Sequence, residues 1–140
     1  FVDIDGDLDL DMFVGNEFIF SKQNSSHAAL KFYRNQGNIS QAKFVLESDD
    51  FMELSKYNFL EIIPQWKDLN NDGSIDLGFI TTDSTNRKTV FYFFSNENPK
   101  NKAIKLNKEP LPFPVILEKG DRPYFYDIDG DGDLDIFNVK

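Results

Sequence analysis

Three nine-residue segments of the sequence, named here loop 1, loop 2 and loop 3, carry side-chain oxygen atoms at positions 1, 3, 5, 7 and 9. The residues at these positions are Asp3, Asp5, Asp7, Asp9 and Asp11 in loop 1, Asp68, Asn70, Asp72, Ser74 and Asp76 in loop 2, and Asp127, Asp129, Asp131, Asp133 and Asp135 in loop 3. Alternating oxygen donors let a short segment curl around a hard cation that needs about six to eight oxygen ligands. The spacing therefore predicts divalent-cation sites in which position 7 lends its backbone carbonyl.

Position 6 of each loop should lie in the sharp turn that such curling requires. Gly73 and Gly132 occupy it in loops 2 and 3, whereas loop 1 has Leu8 there. If this position is left-handed, a leucine costs about 1 to 2 kcal/mol relative to a glycine. The sequence therefore predicts two to three bound ions, the third depending on whether loop 1 tolerates its leucine.

The distribution of charge favours a bound metal over a merely acidic turn. The chain has 24 acidic and 15 basic residues, and 13 of the acids lie inside the three loops, which contain no Lys or Arg. Four carboxylates at separations of about 5 Å repel one another by a total near 20 kcal/mol at an effective dielectric constant of about 20. That energy exceeds the stability of a typical domain, about 5 to 15 kcal/mol, so a counter-ion is needed. All-oxygen donors and a hinge glycine favour Ca²⁺ over Mg²⁺ or Zn²⁺.

The residues that flank the loops also recur, and they indicate what holds the loops in place. An aromatic residue stands two positions before each loop, at Phe1, Trp66 and Phe125, and a short apolar run follows each loop. Apolar runs on both sides predict that each loop joins two β-strands. The loops begin at residues 3, 68 and 127, so the unit recurs about every 60 residues.

The segments between the loops alternate apolar and polar residues as strands do. The predicted strands are 30–34, 42–46, 57–66, 75–82, 88–94 and 103–106. The best candidate for a short helix is 49–55, and Pro110, Pro112 and Pro114 predict an extended connector. Pro64 lies within a predicted strand, which should therefore be bent, bulged or at a sheet edge.

Four short strands in about 60 residues, repeated along the chain, are typical of a β-propeller blade. The predicted fold is therefore all-β, with a partial blade at 1–56, a complete blade at 57–116 and the start of a third at 117–140. A propeller closes with about four to eight blades, so we expect the chain to be a fragment of a longer protein. A self-contained β-sandwich of about ten strands is the alternative fold.

Other classes of protein are excluded by composition. Without cysteine there is no thiolate metal site or cysteine nucleophile, and the single His27 rules out a site with two imidazoles. A net charge of −9 disfavours nucleic acid, and no apolar run is long enough for a membrane span in this portion. EF-hands require a Glu at position 12 and flanking helices, whereas Val14, Phe79 and Asn138 stand there, among predicted strands.

The three loops and their flanks resemble FG-GAP repeats, also called VCBS repeats. The segments that carry the resemblance are FVDIDGDLDLDM from Phe1, WKDLNNDGSIDL from Trp66 and FYDIDGDGDLDI from Phe125, with LKFYRNQGN from Leu30 similar to a third-strand segment. The resemblance implies a calcium-binding propeller like that of integrin α-subunits, typically of seven blades, with the calcium loop between the first two strands of each blade. It also implies a secreted or cell-surface setting, in adhesion, ligand display or accessory domains of polysaccharide-active enzymes.

Two functional classes follow. The first is a calcium-stabilised binding or adhesion module outside the cell or on its surface, with structural metal, no catalytic residue, and the remaining blades and a protein or glycan ligand as partners. The second is an accessory or catalytic propeller of a polysaccharide lyase or hydrolase, with its active residues outside this segment. A raised pKa at Glu47, Glu61 or Glu118 in a cleft would favour an enzyme. Trp66 could stack on a sugar, but its match with Phe1 and Phe125 predicts packing between blades.

Overall fold

The computed structural model describes residues 1–20 and 25–139 and shows an all-β protein. In chain order its elements are β1 (Met12–Gly15), β2 (Ile19–Phe20), β3 (Ser25–Ser26), β4 (Leu30–Asn35), β5 (Phe44–Ser48), a 3-10 helix (Phe51–Tyr57), β6 (Ile63–Lys67), β7 (Asp76–Thr82), β8 (Thr89–Phe94), β9 (Leu111–Pro112), β10 (Arg122–Tyr126) and β11 (Asp135–Val139).

The strands of the described residues form three successive antiparallel sheets and one small two-stranded antiparallel sheet, β2-β3. The first sheet has the order β1-β4-β5, the middle sheet β6-β7-β8-β9, and the last sheet is the pair β10-β11. A bridge between Val2 and Asp11 adds the beginning of a further strand beside β1. In each sheet, consecutive strands along the chain are neighbours, which keeps the connections short.

The middle sheet is covered on both faces because apolar side chains alternate along β7 and β8. Leu77 and Phe79 of β7 and Phe94 of β8 are buried in a cluster shared with the first sheet. Ile80 of β7 and Phe91 of β8 point the other way and are buried in a cluster shared with the last sheet. The strand period of two therefore supplies both interfaces from one sheet.

Aromatic rings carry much of the contact between the sheets. Phe13 of the first sheet lies 4.8 Å from Trp66 of the middle sheet, measured between ring centroids. Phe91 of the middle sheet lies 4.7 Å from Phe125 of the last. Such ring pairs contribute about 0.5 to 1.5 kcal/mol beyond the area that they bury. Trp66 is thus part of the interface between sheets, as its spacing predicts.

One glycine marks where the first and middle sheets come closest. A Cβ atom on Gly15, at the end of β1, would lie 1.9 Å from the carbonyl oxygen of Ile62. The Ile62 N–H also donates to the carbonyl of Asn16 at 3.0 Å. The two backbones therefore touch directly, and no side chain fits between them.

Glu61 joins all three sheets at the strand ends opposite the three loops. Its backbone bridges to Glu17 beyond β1. Its carboxylate accepts hydrogen bonds from the Thr82 hydroxyl at 2.7 Å and from the Arg122 guanidinium at 2.8 Å. Arg122 is the first residue of β10, in the last sheet. The Glu61 side of this ion pair is buried, whereas the Arg122 side chain remains 31% exposed.

Several predicted elements are present. The predicted strands 30–34, 75–82 and 88–94 correspond to β4, β7 and β8, 42–46 overlaps β5, and the predicted helix becomes the 3-10 helix. Pro64 lies in β6, an edge strand of the middle sheet, as expected for a residue without a backbone N–H.

The predicted strand 57–66 is wrong in its first half. Tyr57 ends the 3-10 helix, and Asn58 adopts a left-handed conformation with φ of 56°, which interrupts an extended chain. Continuous pairing begins only at Ile63, in β6. The hydrophobic residues before it, among them Phe59 and Ile62, are nevertheless buried in the core.

The predicted fourth strand 103–106 is also wrong in extent. Only Leu106 pairs there, through a single bridge to Asn96. Pairing with β8 resumes at β9, inside the segment that the prolines predicted to be an extended connector. The chain between Leu106 and Leu111 leaves the sheet, and Pro110, which cannot donate to a strand ladder, lies just before pairing resumes.

Candidate metal-binding loops

The three loops follow the same backbone path between two strands. Loop 2 joins β6 to β7, loop 3 joins β10 to β11, and loop 1 joins the strand stub at Val2 to β1. In each loop, positions 4 and 6 are left-handed. The φ values at position 4 are 81° at Gly6, 59° at Asn71 and 77° at Gly130, and those at position 6 are 77° at Leu8, 89° at Gly73 and 96° at Gly132. Leu8 therefore holds a conformation that favours glycine, as its alignment with Gly73 and Gly132 predicts.

The carboxylate at position 1 accepts hydrogen bonds from the backbone of its own loop. N–H groups of positions 4 to 6 point toward it, as they do in turns closed by an aspartate side chain. The distances are 2.7 Å from Gly6 and 2.9 Å from Leu8 to Asp3, 2.8 Å from Gly73 to Asp68, and 2.7 Å from Gly130 and 3.1 Å from Gly132 to Asp127. These bonds curl each loop around its first carboxylate.

The aspartate at position 9 closes each loop from the other side. One of its oxygens accepts from the N–H of position 2, at 3.2 Å in Asp11, 2.9 Å in Asp76 and 3.1 Å in Asp135. Asp11, just before β1, and Asp76, at the start of β7, are 1% and 0% exposed. The position 9 carboxylate is therefore a fixed part of the sheet as well as of the loop.

Two asparagines complete this arrangement, and the sequence analysis did not identify them. The N–H groups of Asn35 and Asn96, at the ends of β4 and just beyond β8, each donate at 2.8 Å to the position 9 carboxylates of loops 1 and 2. The side-chain oxygen of Asn35 accepts from the backbone N–H of Lys43 at 2.8 Å, and that of Asn96 accepts from the backbone N–H of Lys105 at 3.0 Å. The recurring signal is an asparagine after an aromatic strand, in Phe-Tyr-Arg-Asn and Phe-Phe-Ser-Asn.

Loops 1 and 3 each bring three predicted carboxylates together, from positions 1, 3 and 9. One oxygen from each of Asp3, Asp5 and Asp11 lies within 4.8 Å of the others, and the same is true of Asp127, Asp129 and Asp135. Loop 2 has an amide, Asn70, at position 3, so its donor set is equally rich in oxygen but carries one charge less. These all-oxygen sets fit a hard divalent cation such as Ca²⁺.

The other predicted positions serve the loop backbone in this structure. The position 5 carboxylates of Asp7, Asp72 and Asp131 accept from the N–H of position 7 at 3.0, 2.8 and 3.0 Å. At position 7, the Ser74 hydroxyl donates to the carbonyl of Asn98 at 2.9 Å and so is directed away from the loop centre. The expectation that position 7 offers a cation its backbone carbonyl stays a prediction.

Three carboxyl groups of the loops have a raised pKa. Burial raises the pKa of Asp76 and of Asp9, whose Oδ1 has no hydrogen-bond partner among the described residues. In loop 3, the neighbouring charge of Asp131 raises the pKa of Asp133. A cation among these groups would restore the charged forms.

One basic residue reaches loop 1 from elsewhere in the chain, although none lies within the loop sequence. The Arg34 guanidinium, on β4, donates to the carboxylate of Asp5 and also to that of Glu47 on β5. The Arg34 hydrogen bond lowers the pKa of Glu47. The raised pKa that would favour an enzyme is therefore not found at Glu47.

Comparison of the chain with protein-family models, with curated proteins and with solved structures finds no match in any of the three. Among the described residues, no helix is long and apolar enough to cross a membrane. The functional argument therefore rests on the geometry of the loops.

Proposed function

We propose that the chain is a calcium-stabilised β-propeller repeat segment, related to FG-GAP or VCBS repeats, of a secreted or cell-surface binding or adhesion protein. In this proposal the metal is structural, and two to three Ca²⁺ ions bind at loops 1 to 3. The observation that carries it is that three separate loops, one with leucine and two with glycine at position 6, adopt one backbone path, and that oxygen atoms of three carboxylates converge in loops 1 and 3.

The arrangement of the sheets supports the propeller. Each loop joins the first two strands of its sheet, and all three lie at the same end of the strands. The middle sheet packs one face on the first sheet and the other on the last, as a blade does with its neighbours. A two-layer sandwich would give a sheet only one covered face.

The hydrogen bonds of position 9 support a structural role for the metal. In loop 2, the Asp76 carboxylate already connects the loop to the end of the third strand through the N–H of Asn96. Bound Ca²⁺ would neutralise the carboxylates of its loop, held by the side chains of positions 1, 3, 5 and 9 and the carbonyl of position 7. The ion would thereby stabilise the junction of three strands and rigidify the edge of the blade.

The ion pairs of two acidic residues outside the loops, Glu47 and Glu61, support binding rather than catalysis. Glu47 and Glu61 are both engaged by arginine, at Arg34 and Arg122. An extracellular setting agrees with weak structural sites, because millimolar Ca²⁺ fills sites with dissociation constants of about 10⁻⁴ to 10⁻³ M. The partner in this setting would be a protein or glycan ligand that binds to the rigid blades.

Thermal unfolding with EDTA and then with increasing Ca²⁺ tests the proposal. We expect a saturable rise in the melting temperature with Ca²⁺ and a smaller one with Mg²⁺, since Mg²⁺ retains its water more strongly. Isothermal titration should give two to three ions per chain. A melting temperature that is the same in EDTA and in millimolar Ca²⁺ would refute a structural calcium role.

A further inference from the structure

We infer that Arg34 is a built-in positive charge of loop 1, which holds this loop closed in the absence of a metal ion and lowers its affinity for calcium relative to loops 2 and 3. The inference rests on the proposed function and concerns how one of the three sites is tuned.

The contacts of Arg34 place its charge at the edge of the carboxylate group. Asp5 belongs to the set of three carboxylates that converge in loop 1, and it is this residue that the guanidinium contacts. Glu47 fixes Arg34 from the other side, through a second hydrogen bond of 3.1 Å to its Oε1. The guanidinium also lies over the ring of Phe32, 5.2 Å from the centroid. Three contacts thus hold one long side chain in a single position.

Loop 2 provides the internal comparison. Arg34 immediately precedes Asn35, and the residue that precedes the corresponding Asn96 is Ser95. At position 3, which Arg34 contacts in loop 1, loop 2 carries the neutral Asn70. Loop 1 thus combines an aspartate at position 3 with an arginine before the strand-end asparagine. Loop 2 combines an asparagine at position 3 with a serine before it. The extra negative charge of loop 1 is matched by a protein cation.

The charge of Arg34 affects the empty and the loaded loop in opposite ways. In the empty loop it offsets part of the repulsion among the carboxylates. In the loaded loop it repels a doubly charged ion, and a unit charge roughly 7 Å from such an ion changes the affinity about ten-fold even at the dielectric constant of water. Glu47 lies on the far side of Arg34 and moderates this repulsion.

Calcium titration of loop 1 alone tests the inference. The background is the full chain carrying Asp72→Asn and Asp131→Asn, which weaken loops 2 and 3 while keeping an acceptor oxygen at each position. In this background, Arg34→Ser should tighten calcium binding about ten-fold and lower the melting temperature in EDTA. Arg34→Lys, which keeps the charge, should leave the affinity within about two-fold.

Glu47→Gln provides the test of opposite sign. It removes the negative charge that partly offsets the positive charge of Arg34, so calcium binding at loop 1 should weaken. A purely structural role for the ion pair would make Arg34→Ser and Glu47→Gln change the affinity in the same direction. Circular dichroism of each variant at saturating Ca²⁺ verifies that it is folded, and Arg34→Gln, which also removes the charge, repeats the comparison if Arg34→Ser is not folded.

The outcomes separate this inference from the proposed function. If the unsubstituted chain binds two or three ions but Arg34→Ser and Glu47→Gln leave loop 1 unchanged, or shift it in the same direction, the role of Arg34 is refuted and the proposed function stands. If the unsubstituted chain binds no calcium at millimolar concentration, the proposed function itself fails. Tighter calcium binding in Arg34→Ser together with weaker binding in Glu47→Gln supports the inference, and the reverse pair of shifts refutes it.

Discussion

Replacing Asp76 by alanine tests whether the loops are built into the sheets. Asp76 is fully buried, and its two oxygens accept from the N–H groups of Leu69 and Asn96 at 2.9 and 2.8 Å. Asp76→Ala leaves both donors without their side-chain acceptor at a buried position. A buried donor left unsatisfied costs about 1 to 3 kcal/mol, so the expected loss is about 2 to 6 kcal/mol. That loss is comparable with the whole stability of a marginal domain.

The same substitution at loop 3 is the matched control. Asp135 accepts from Ile128 at 3.1 Å but is only half-buried, so water can replace the lost acceptor. Asp135→Ala should therefore cost about 1 kcal/mol in the absence of metal. Asp11→Ala, in which two N–H groups are again orphaned, should behave like Asp76→Ala.

Urea unfolding, followed by tryptophan fluorescence and circular dichroism, measures these differences. In EDTA, replacing the buried Asp76 or Asp11 by alanine should lower the free energy of unfolding much more than replacing the half-buried Asp135. In saturating Ca²⁺ all three variants should lose further stability relative to the unsubstituted chain, because each removes a metal ligand. Equal, small losses at Asp76 and Asp135 in EDTA would refute the idea that the position 9 carboxylate holds the sheet together.

Three further predictions follow from the backbone and its turns. Leu8→Gly should raise the stability of loop 1 by up to about 1 kcal/mol, as the relief of a left-handed leucine is partly offset by the entropy of glycine in the unfolded chain; a loss of stability in urea unfolding would contradict the strain. Gly15→Ala should cost about 3 kcal/mol or more, since the new Cβ would meet the carbonyl of Ile62, and an unchanged melting temperature would show that the contact is not as close as described. Backbone N–H groups of its own turn lower the pKa of Asp83, so its contribution to stability is present above the ordinary carboxyl pKa and is lost as the pH falls through the lower folded value; Asp83→Asn should flatten the unfolding free energy between about pH 5 and 2, and an unaltered acid profile would refute this assignment.

The sequence predicts the class of fold and the loops better than it predicts the limits of the strands. Period-two alternation locates β4, β7 and β8 because each is a central or paired strand with strong apolar faces. The segment 57–66 is equally rich in apolar residues, but its first half is buried in a 3-10 helix end and a left-handed turn at Asn58. Hydrophobic content reports burial there and not the backbone conformation.

The sequence likewise predicts only part of the candidate site. The spacing of the aspartates and the position of Leu8 are local features, and the left-handed backbone agrees with them. The contributions of Asn35, Asn96 and Arg34 depend on which strand ends meet the loops, and that pairing is decided by the fold. A count of charges within each loop therefore overlooked a cation supplied from β4.

The contacts of Glu61 affect how the three sheets can separate. One residue contacts the first sheet through its backbone, the middle sheet through Thr82 and the last through Arg122, at the end of the strands farthest from the loops. The sheets are thus fastened to one another at this rim, whereas the hydrogen bonds of the position 9 aspartates at the opposite rim lie within single sheets. Separating the middle sheet from either neighbour therefore has to break a contact of Glu61.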